Sequence, residues 1–274
     1  MRIDAHQHFW QYDPVEYGWI DDSMQALKQD FSPADLQREM GRAGFERSIA
    51  VQALQTLDET RRLLALADLH PFIAGVVGWV DLQSAEVDVE LEELAAHRRL
   101  LGVRHVVQAE PAGFLSSAGF RRGIARLDRY GLTYDILVYA RQLPEVVEFV
   151  RAFPNQRFVL DHLGKPDVKG SAFQAWRTPF EELAAFPHVW CKLSGLVTEA
   201  EWGSWTPEQL RPYIETALEC FGPERLMVGS DWPVCTLASP YTRTMEIVED
   251  ALGGCSSKER ASVLGGTAQR LWNL

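Results

Sequence analysis

Residues 157–163 read Arg-Phe-Val-Leu-Asp-His-Leu, a short apolar run that is followed at once by ionisable side chains. A continuous apolar run of this kind predicts a β-strand that other elements cover on both faces, as in a parallel sheet. Seven further segments of the chain have the same character. The eight predicted strands are Arg2–His8, Arg47–Ala53, Phe72–Leu82, Leu100–Val107, Leu132–Tyr139, Arg157–Leu163, Val189–Ser194 and Arg225–Ser230.

Amphipathic segments with recognisable helix starts separate these strands. Ser32 and Pro33 supply an N-cap and a first-turn proline, and residues 206–209, Thr-Pro-Glu-Gln, read as a capping box. Eight βα units in 274 residues predict an α/β fold, a (β/α)8 TIM barrel in which residues 1–274 form a single domain. A doubly wound sheet is the alternative, but no GxGxxG sequence follows a strand to favour it.

Residues 9–31 separate the first predicted strand from the first capped helix. A connection longer than about 15 residues is usually functional or disordered, and this one is too aromatic for disorder. We therefore expect residues 9–31 to form a lid over the active-site face of the barrel. Its aromatic residues are Phe9, Trp10, Tyr12, Tyr17, Trp19 and Phe31.

The composition is that of an ordinary globular protein and excludes several classes of partner. The formal charge of −11 and the isoelectric point of about 5.1 argue against nucleic acid and anionic membrane surfaces, because both demand a basic face. No run approaches the roughly 18 apolar residues of a membrane span, and we expect no signal peptide. The four cysteines form no CxxC pair, which predicts reduced thiols and a cytoplasmic location. A small-molecule substrate is the expected partner, and a homo-oligomer stays open.

In a barrel of this type the chemistry is found at the carboxyl ends of the strands, and three predicted strands end in candidate residues. His6 and His8 are two residues apart on the first strand and therefore share a face. Asp231 follows the eighth strand, which barrel closure places beside the first. The sixth strand ends in His162, and Lys165 comes directly after it. Each signal is weak alone, but their placement at one rim indicates a functional site.

Four motifs in this order resemble the amidohydrolase superfamily, and more closely its amidohydrolase-2 branch, which contains sugar lactonases. The motifs are RIDAHQHFW at 2–10, DHLGKP at 161–166, MVGSDWP at 227–233 and GGTAQRLW at 265–272. The resemblance spans the whole chain. Within the branch, the chain looks most like hydrolases of the L-fuconolactone and L-rhamnonolactone type.

The resemblance implies a divalent metal site at His6, His8 and Asp231, with Asp231 also handling the proton of the attacking water. Binuclear members of the superfamily also have a histidine on strand 5, and residues 133–139 contain none. This difference argues against a two-metal site. One zinc or similar ion, or no essential metal, are the two alternatives. Without a metal, His162 and cationic groups at the rim would stabilise the oxyanion.

Sugar recognition requires hydrogen-bonding groups together with flat apolar faces. Arg104 and His105 are adjacent on the fourth strand, so their side chains alternate in direction, and parity does not tell which of them points inward. Either one could contact substrate. The predicted substrate-binding residues are Trp10, Arg104, His105, Gln108, Tyr139, Lys165 and Trp232.

Three functions are compatible with the sequence. The first is hydrolysis of a sugar-acid lactone, such as L-fuconolactone or a related aldonolactone, with Asp231 as general base and His162 as a second catalytic residue. The second is a zinc-dependent decarboxylase, which needs an arginine to clamp a carboxylate, so an inward Arg104 would favour it. The third is a barrel that binds a sugar acid without converting it.

Overall fold

The computed structural model describes residues 1–274 and contains eight parallel β-strands, one at each predicted position. The observed strands are one to five residues shorter than predicted, because the chain leaves the sheet as soon as the loops at the carboxyl ends begin. The strands are β1 (Ile3–Gln7), β2 (Arg47–Val51), β3 (Ile73–Gly78), β4 (Leu100–His105), β5 (Thr133–Ile136), β6 (Phe158–Leu160), β7 (Val189–Leu193) and β8 (Leu226–Val228).

The strands pair in sequence order from β1 to β8, all in parallel, and the last strand returns to the first. The backbone N–H of Asp231 donates to His6 O at 2.8 Å, and the N–H of His8 donates to Trp232 O at 2.7 Å. These two bonds lie directly beyond the end of β8 and close the barrel on the side where the candidate residues lie. The predicted (β/α)8 barrel is therefore confirmed.

Helices on the outside of the barrel follow the predicted start signals. Ser32 caps α1 in a capping box with Asp35, and Thr206 caps α8 in a capping box with Gln209. None of these helices combines the length and the apolar character of a membrane span. The helices are α1 (Pro33–Ala43), α2 (Leu57–Leu69), α3 (Val87–Ala95), α4 (Ala118–Leu127), α5 (Leu143–Arg151), α6 (Phe173–Ala184), α7 (Leu196–Glu199), α8 (Pro207–Phe221), α9 (Tyr241–Ala251), α10 (Ser257–Ala261) and α11 (Thr267–Trp272).

The interior of the barrel is apolar at one end and polar at the other. At the end where the strands begin, residues such as Ile3, Ile49 and Met227 pack against Leu271 and Trp272 of α11, which closes the barrel from below. The indole N–H of Trp272 donates to Thr133 Oγ1 at 3.3 Å. This apolar floor supports the charged side chains above it.

Residues 9–31 form an ordered cover with a small core of its own, and they contain a 3-10 helix at Asp22–Leu27. Trp10 and Phe31 pair through two backbone hydrogen bonds, which bring the two ends of the stretch together. Tyr17, Ile20 and Leu27 pack against Trp10 between those ends. Two of its residues, Glu16 and Trp19, line a cavity at the barrel mouth, and its role as a lid stays a prediction.

Candidate active site

Three histidines surround one aspartate at the carboxyl ends of β1, β6 and β8. The Nε2 atoms of His8, His6 and His162 lie 3.4, 3.8 and 3.8 Å from Asp231 Oδ1. His6 Nε2 and His8 Nε2 are 3.2 Å apart. All four residues are buried. The structure thus brings together the predicted metal ligands and both predicted catalytic residues.

Backbone and carboxylate partners orient the two imidazoles of β1. His8 Nδ1 lies 2.8 Å from the carbonyl oxygen of Val51, which cannot donate, so Nδ1 carries the proton and Nε2 presents a lone pair. His6 Nδ1 lies 3.3 Å from Asp161 Oδ1, and its Nε2 lies 3.2 Å from a donor nitrogen of Arg104. Both histidines therefore present an unprotonated Nε2, and the two Nε2 atoms are 3.2 Å apart. A metal ion would take the place of the hydrogen bond from Arg104 to His6.

Asp231 is held by a hydrogen-bonded corner between β8 and β1. Buried Asp4 accepts from Ser230 N at 2.9 Å and from Ser230 Oγ at 2.6 Å, and Ser230 Oγ accepts from Trp232 N at 3.0 Å. Asp231 has a φ of +57°, a left-handed conformation that costs a non-glycine residue energy and is common at functional sites. Burial raises the pKa of Asp231, but the imidazoles of His162 and His8 outweigh burial and lower it, so the carboxylate is ionised.

A network of four buried charges lies directly beneath the histidines, and the sequence did not predict it. Lys192 Nζ of β7 lies 2.9 Å from Asp161 Oδ1 and also bonds to Asp135 of β5. Arg104 of β4 donates to Asp161 Oδ2 at 2.9 Å. Burial opposes ionisation of Asp161, but the ammonium of Lys192 outweighs burial and holds its pKa well below the usual value. Two cations and two carboxylates thus balance inside the barrel.

His162 stands on an unusual turn of the backbone. Residues 162–165 have φ angles of 53°, 55°, 68° and 47° in succession, so four residues in a row are left-handed. A Cβ added to Gly195 would lie 2.7 Å from the His162 ring, which shows how closely that glycine approaches the imidazole. His162 Nδ1 is 2.8 Å from Ser194 Oγ. Burial lowers the pKa of His162 to about 4, against the opposing effect of Asp231, so the ring is neutral at pH 7.

The same turn directs Lys165 toward the site. Its ammonium lies 3.6 Å from Glu199 Oε1 and 5.5 Å from the centre of the Tyr139 ring. Tyr139 itself does not line the cavity: it supports Lys165 on one face, and Arg141 lies 4.5 Å over its ring. Tyr139 was predicted to contact the substrate, but in the structure its ring contacts Lys165 instead.

A cavity of about 370 Å³ opens above the histidine cluster. It is large enough for one small sugar ring. Among the predicted residues, the structure places His8, Arg104, Gln108, His162, Lys165 and Asp231 on its wall, and two residues of the 9–31 stretch complete it. The other lining residues are Glu16, Trp19, Ala53, Leu54, Gln55, Val106, Ala109, Leu137 and Val234.

Trp10 and Trp232 do not line this cavity, contrary to prediction. Trp10 is buried in the core of the 9–31 stretch, where its indole N–H donates to Gln29 O at 2.9 Å. Trp232 packs edge-on against Phe9 and Phe31. Both rings therefore anchor the cover to the barrel. Trp19 is the tryptophan that lines the cavity, and it is 43% exposed.

The structure resolves the direction of Arg104 and His105. His105 points away from the cavity, stacks on Phe114 with ring centres 4.9 Å apart, and bonds to Glu110 at 2.8 Å. It is thus excluded as a substrate contact. Arg104 points inward, but its donors are used by Asp161, by His6 and by both oxygens of Gln52. The carboxylate clamp that a decarboxylase needs is not free.

The residues present fit one divalent ion. Two ligands of a tetrahedral zinc ion, each about 2.0–2.1 Å from it, lie roughly 3.3 Å apart. The donor atoms of His6, His8 and Asp231 are separated by 3.2, 3.4 and 3.8 Å. Two imidazole nitrogens and one carboxylate oxygen are a ligand set that zinc accepts with a position left open.

The chain matches known proteins along its whole length. A family model described as amidohydrolase covers residues 3–274. A protein of Burkholderia multivorans named L-fucono-1,5-lactonase is 43% identical over 100% of this chain and 96% of its own. Another of that name, from Burkholderia ambifaria, is 39% identical over 88% of this chain and 83% of its own.

A solved structure has the same fold. The crystal structure of an amidohydrolase from Burkholderia multivorans with bound zinc superimposes with a TM-score of 0.96 at 43% identity, and the match covers 100% of this chain and 99% of that one. The sequence resemblance to the amidohydrolase-2 branch is thereby confirmed.

Proposed function

The chain belongs to the amidohydrolase family, and from this premise we propose that it hydrolyses a sugar-acid lactone, L-fuconolactone or a related aldonolactone, to the open-chain aldonic acid. One observation carries the proposal: the Nε2 atoms of His8, His6 and His162 lie 3.4, 3.8 and 3.8 Å from Asp231 Oδ1 beside a sugar-sized cavity. The relatives named L-fucono-1,5-lactonase support the same reaction class.

Asp231 is the general base of this reaction. Its carboxylate is ionised and lines the cavity, so a water molecule beside it can give up a proton while its oxygen attacks the lactone carbonyl. When the bond from the carbonyl carbon to the ring oxygen breaks, the same proton returns to that oxygen as a hydroxyl. A lactone is an activated ester, so its opening needs less assistance than that of an amide.

His162 stabilises the oxygen that becomes negative, or a neighbouring hydroxyl of the substrate. Its ring is neutral at pH 7, so one nitrogen carries a proton and the other does not. When Ser194 Oγ donates to Nδ1, the proton resides on Nε2, the atom that lies near Asp231. One donor placed at an oxyanion typically contributes about 10²–10³ in rate.

We propose that His6, His8 and Asp231 hold at most one divalent ion, and zinc suits this donor set. When bound, such an ion supplies positive charge that polarises the ester carbonyl and acidifies a water. A second donor group exists at His6, Asp161 and His162. Lys192 and Arg104 already occupy the two oxygens of Asp161, so that group is not proposed as a metal site.

Substrate hydroxyls and the sugar ring find complementary groups on the cavity wall. Gln55 uses its carbonyl oxygen to accept from Val106 N at 2.8 Å, which leaves its amide N–H groups for the substrate. Gln108 and Lys165 offer further polar atoms, and Trp19 offers a flat apolar face. We propose these four residues as the substrate contacts.

A panel of aldonolactones tests the proposal. Proton release is measured with each lactone before and after treatment with a chelator, together with elemental analysis of the protein. We expect one proton for each ester opened at neutral pH, with L-fuconolactone among the best substrates. If no lactone releases protons and hydroxybenzoates release CO₂, the protein is a decarboxylase and the proposal is wrong.

A further inference from the structure

Glu16 is a carboxylate at the mouth of the cavity whose side chain has no ion pair or hydrogen bond. Resting on the proposed lactonase function, we propose that Glu16 determines specificity by charge. It makes the cavity discriminate against carboxylates, and so favours neutral lactones as substrates and expels the anionic aldonate that their hydrolysis produces.

The charges on the cavity wall leave Glu16 uncompensated. Lys165 is paired with Glu199 at 3.6 Å, and Arg104 is paired with Asp161 at 2.9 Å. The remaining ionised groups of the wall are Glu16 and Asp231. A divalent ion bound by Asp231 and the two histidines of β1 would carry one positive charge more than Asp231 neutralises, but it would lie at the histidine cluster and form no pair with Glu16. The carboxylate of Glu16 therefore has no paired cation, with or without a metal.

A cation on the neighbouring helix does not cancel this charge. Arg62 of α2 is close enough to Glu16 to interact electrostatically, but its guanidinium donates to Tyr17 Oη at 3.2 Å and pairs with buried Glu59 at 3.4 Å. Arg62 is thus held by Tyr17 and Glu59 and makes no ion pair with Glu16. Glu16 stays free to act on whatever enters the cavity.

The backbone around Glu16 is fixed, so its carboxylate is held at the mouth. Asp13 Oδ1 accepts from Val15 N at 2.7 Å and from Glu16 N at 3.1 Å. The next residue, Tyr17, is fully buried in the core of the 9–31 stretch. A charge on an anchored loop can act on each substrate and product molecule that passes.

The proposed reaction changes the charge of the ligand inside the cavity. Asp231 carries one proton of the water to the ring oxygen, and the new carboxyl group then loses the other proton to solvent, so a neutral lactone becomes an aldonate anion. The product thus acquires a carboxylate beside an uncompensated carboxylate. Repulsion between two unit charges in a largely hydrated cavity weakens product binding roughly three- to fivefold relative to a neutral side chain.

The test compares product affinity with substrate KM in Glu16→Gln, which removes the charge at constant shape. The Kd of L-fuconate is measured by titration calorimetry and the KM of L-fuconolactone by proton release. We expect the ratio of Kd to KM to fall three- to fivefold in Glu16→Gln at 20 mM salt, and the difference from wild type to disappear at 1 M salt, where the Debye length is about 3 Å. Glu16→Asp keeps the charge and should keep the wild-type ratio.

Glu92→Gln is the matched control, because Glu92 is exposed on α3 and makes no ion pair. The same loss of one charge there should leave the ratio unchanged. If lactones are turned over but the ratio of Kd to KM in Glu16→Gln equals that of the wild type, the role of Glu16 is overturned and the lactonase proposal stays intact. Absence of lactone turnover in the wild type overturns the lactonase proposal. In that case the role of Glu16 is judged from the Kd of L-fuconate alone. An equal Kd in the wild type and in Glu16→Gln, or no binding to either protein, overturns that role as well.

Discussion

Replacing Asp161 by asparagine is expected to destabilise the barrel and to weaken metal binding together. Asp161 lies 2.9 Å from Lys192 Nζ and 2.9 Å from an Arg104 nitrogen, and all three side chains are buried. The variant leaves two buried cations with Asp135 as their one carboxylate, and breaking a buried charge pair typically costs 3–5 kcal/mol. For a chain of this size, that loss lowers Tm by roughly 6–15 °C.

The effect on metal binding has a separate cause. Asp161 Oδ1 lies 3.3 Å from His6 Nδ1, and partners that orient a metal-ligating histidine are typically worth 10–100-fold in affinity. Thermal unfolding is followed in the presence of a chelator, so that bound metal does not contribute, and the zinc Kd is measured by chelator competition. The double variant Asp161→Asn with Arg104→Met restores charge balance and leaves the pair of Lys192 and Asp135 intact. It should recover much of the Tm but not the zinc affinity. A Tm within 2 °C of wild type and an unchanged zinc Kd for the single variant would show that Asp161 neither stabilises the barrel nor orients His6.

Three further predictions concern Gly195, the number of bound zinc ions and Glu59. Gly195→Ala combines a φ of +68° with a Cβ 2.7 Å from the His162 ring, so displacement of that ring should cost about 10²-fold in kcat. Gly203→Ala, whose Cβ meets no atom within 4 Å, is the control and should keep the wild-type kcat. Protein loaded with zinc and then desalted should contain one equivalent by elemental analysis, and two equivalents would contradict the exclusion of a second ion. Burial raises the pKa of Glu59 to about 7 from 4.5. The contribution of its side chain to the free energy of unfolding is therefore complete below pH 4.5 and is lost as the pH rises through 7. The unfolding free energy of wild type relative to Glu59→Gln should therefore fall by up to about 3 kcal/mol between pH 4.5 and 8, and a constant difference in denaturant titrations would contradict this.

The fold and the central cluster could be predicted because their signals are local. Each strand is an apolar run, and in a barrel the residue that follows the run lies at the carboxyl-end rim. His6, His8, His162 and Asp231 all occupy such positions and meet within 3.8 Å. Barrel topology alone was enough to place them together.

The charge network was missed because its partners lie on different strands. Lys192 occurs in Val-Trp-Cys-Lys-Leu, which reads as an ordinary strand with one charged residue. The inward direction of the Lys192 side chain depends on Asp135 and Asp161, which lie 57 and 31 positions earlier in the chain. Arg104 and His105 are adjacent on a strand, so only one of them can point inward, and the sequence does not tell which one. The register between neighbouring strands decides it.

The aromatic residues show a different limit of sequence reasoning. Trp10 and Trp19 belong to the same stretch, and both have the size and shape to contact a sugar ring. Trp10 is 2% exposed and Trp19 is 43% exposed, because Trp10 pairs with Phe31 at the base of the cover and Trp19 lies at its edge. Composition identified the cover but did not tell its core from its cavity-facing edge.

The Asp231→Asn variant shows whether Asp231 transfers the proton in lactone hydrolysis. Asparagine keeps the size of the side chain but cannot act as a base, and a positioned general base contributes typically 10²–10⁴-fold. We predict that kcat/KM for L-fuconolactone falls by at least 10²-fold, while the circular dichroism spectrum stays that of the wild type. A folded Asp231→Asn protein with near wild-type kcat/KM would contradict the account.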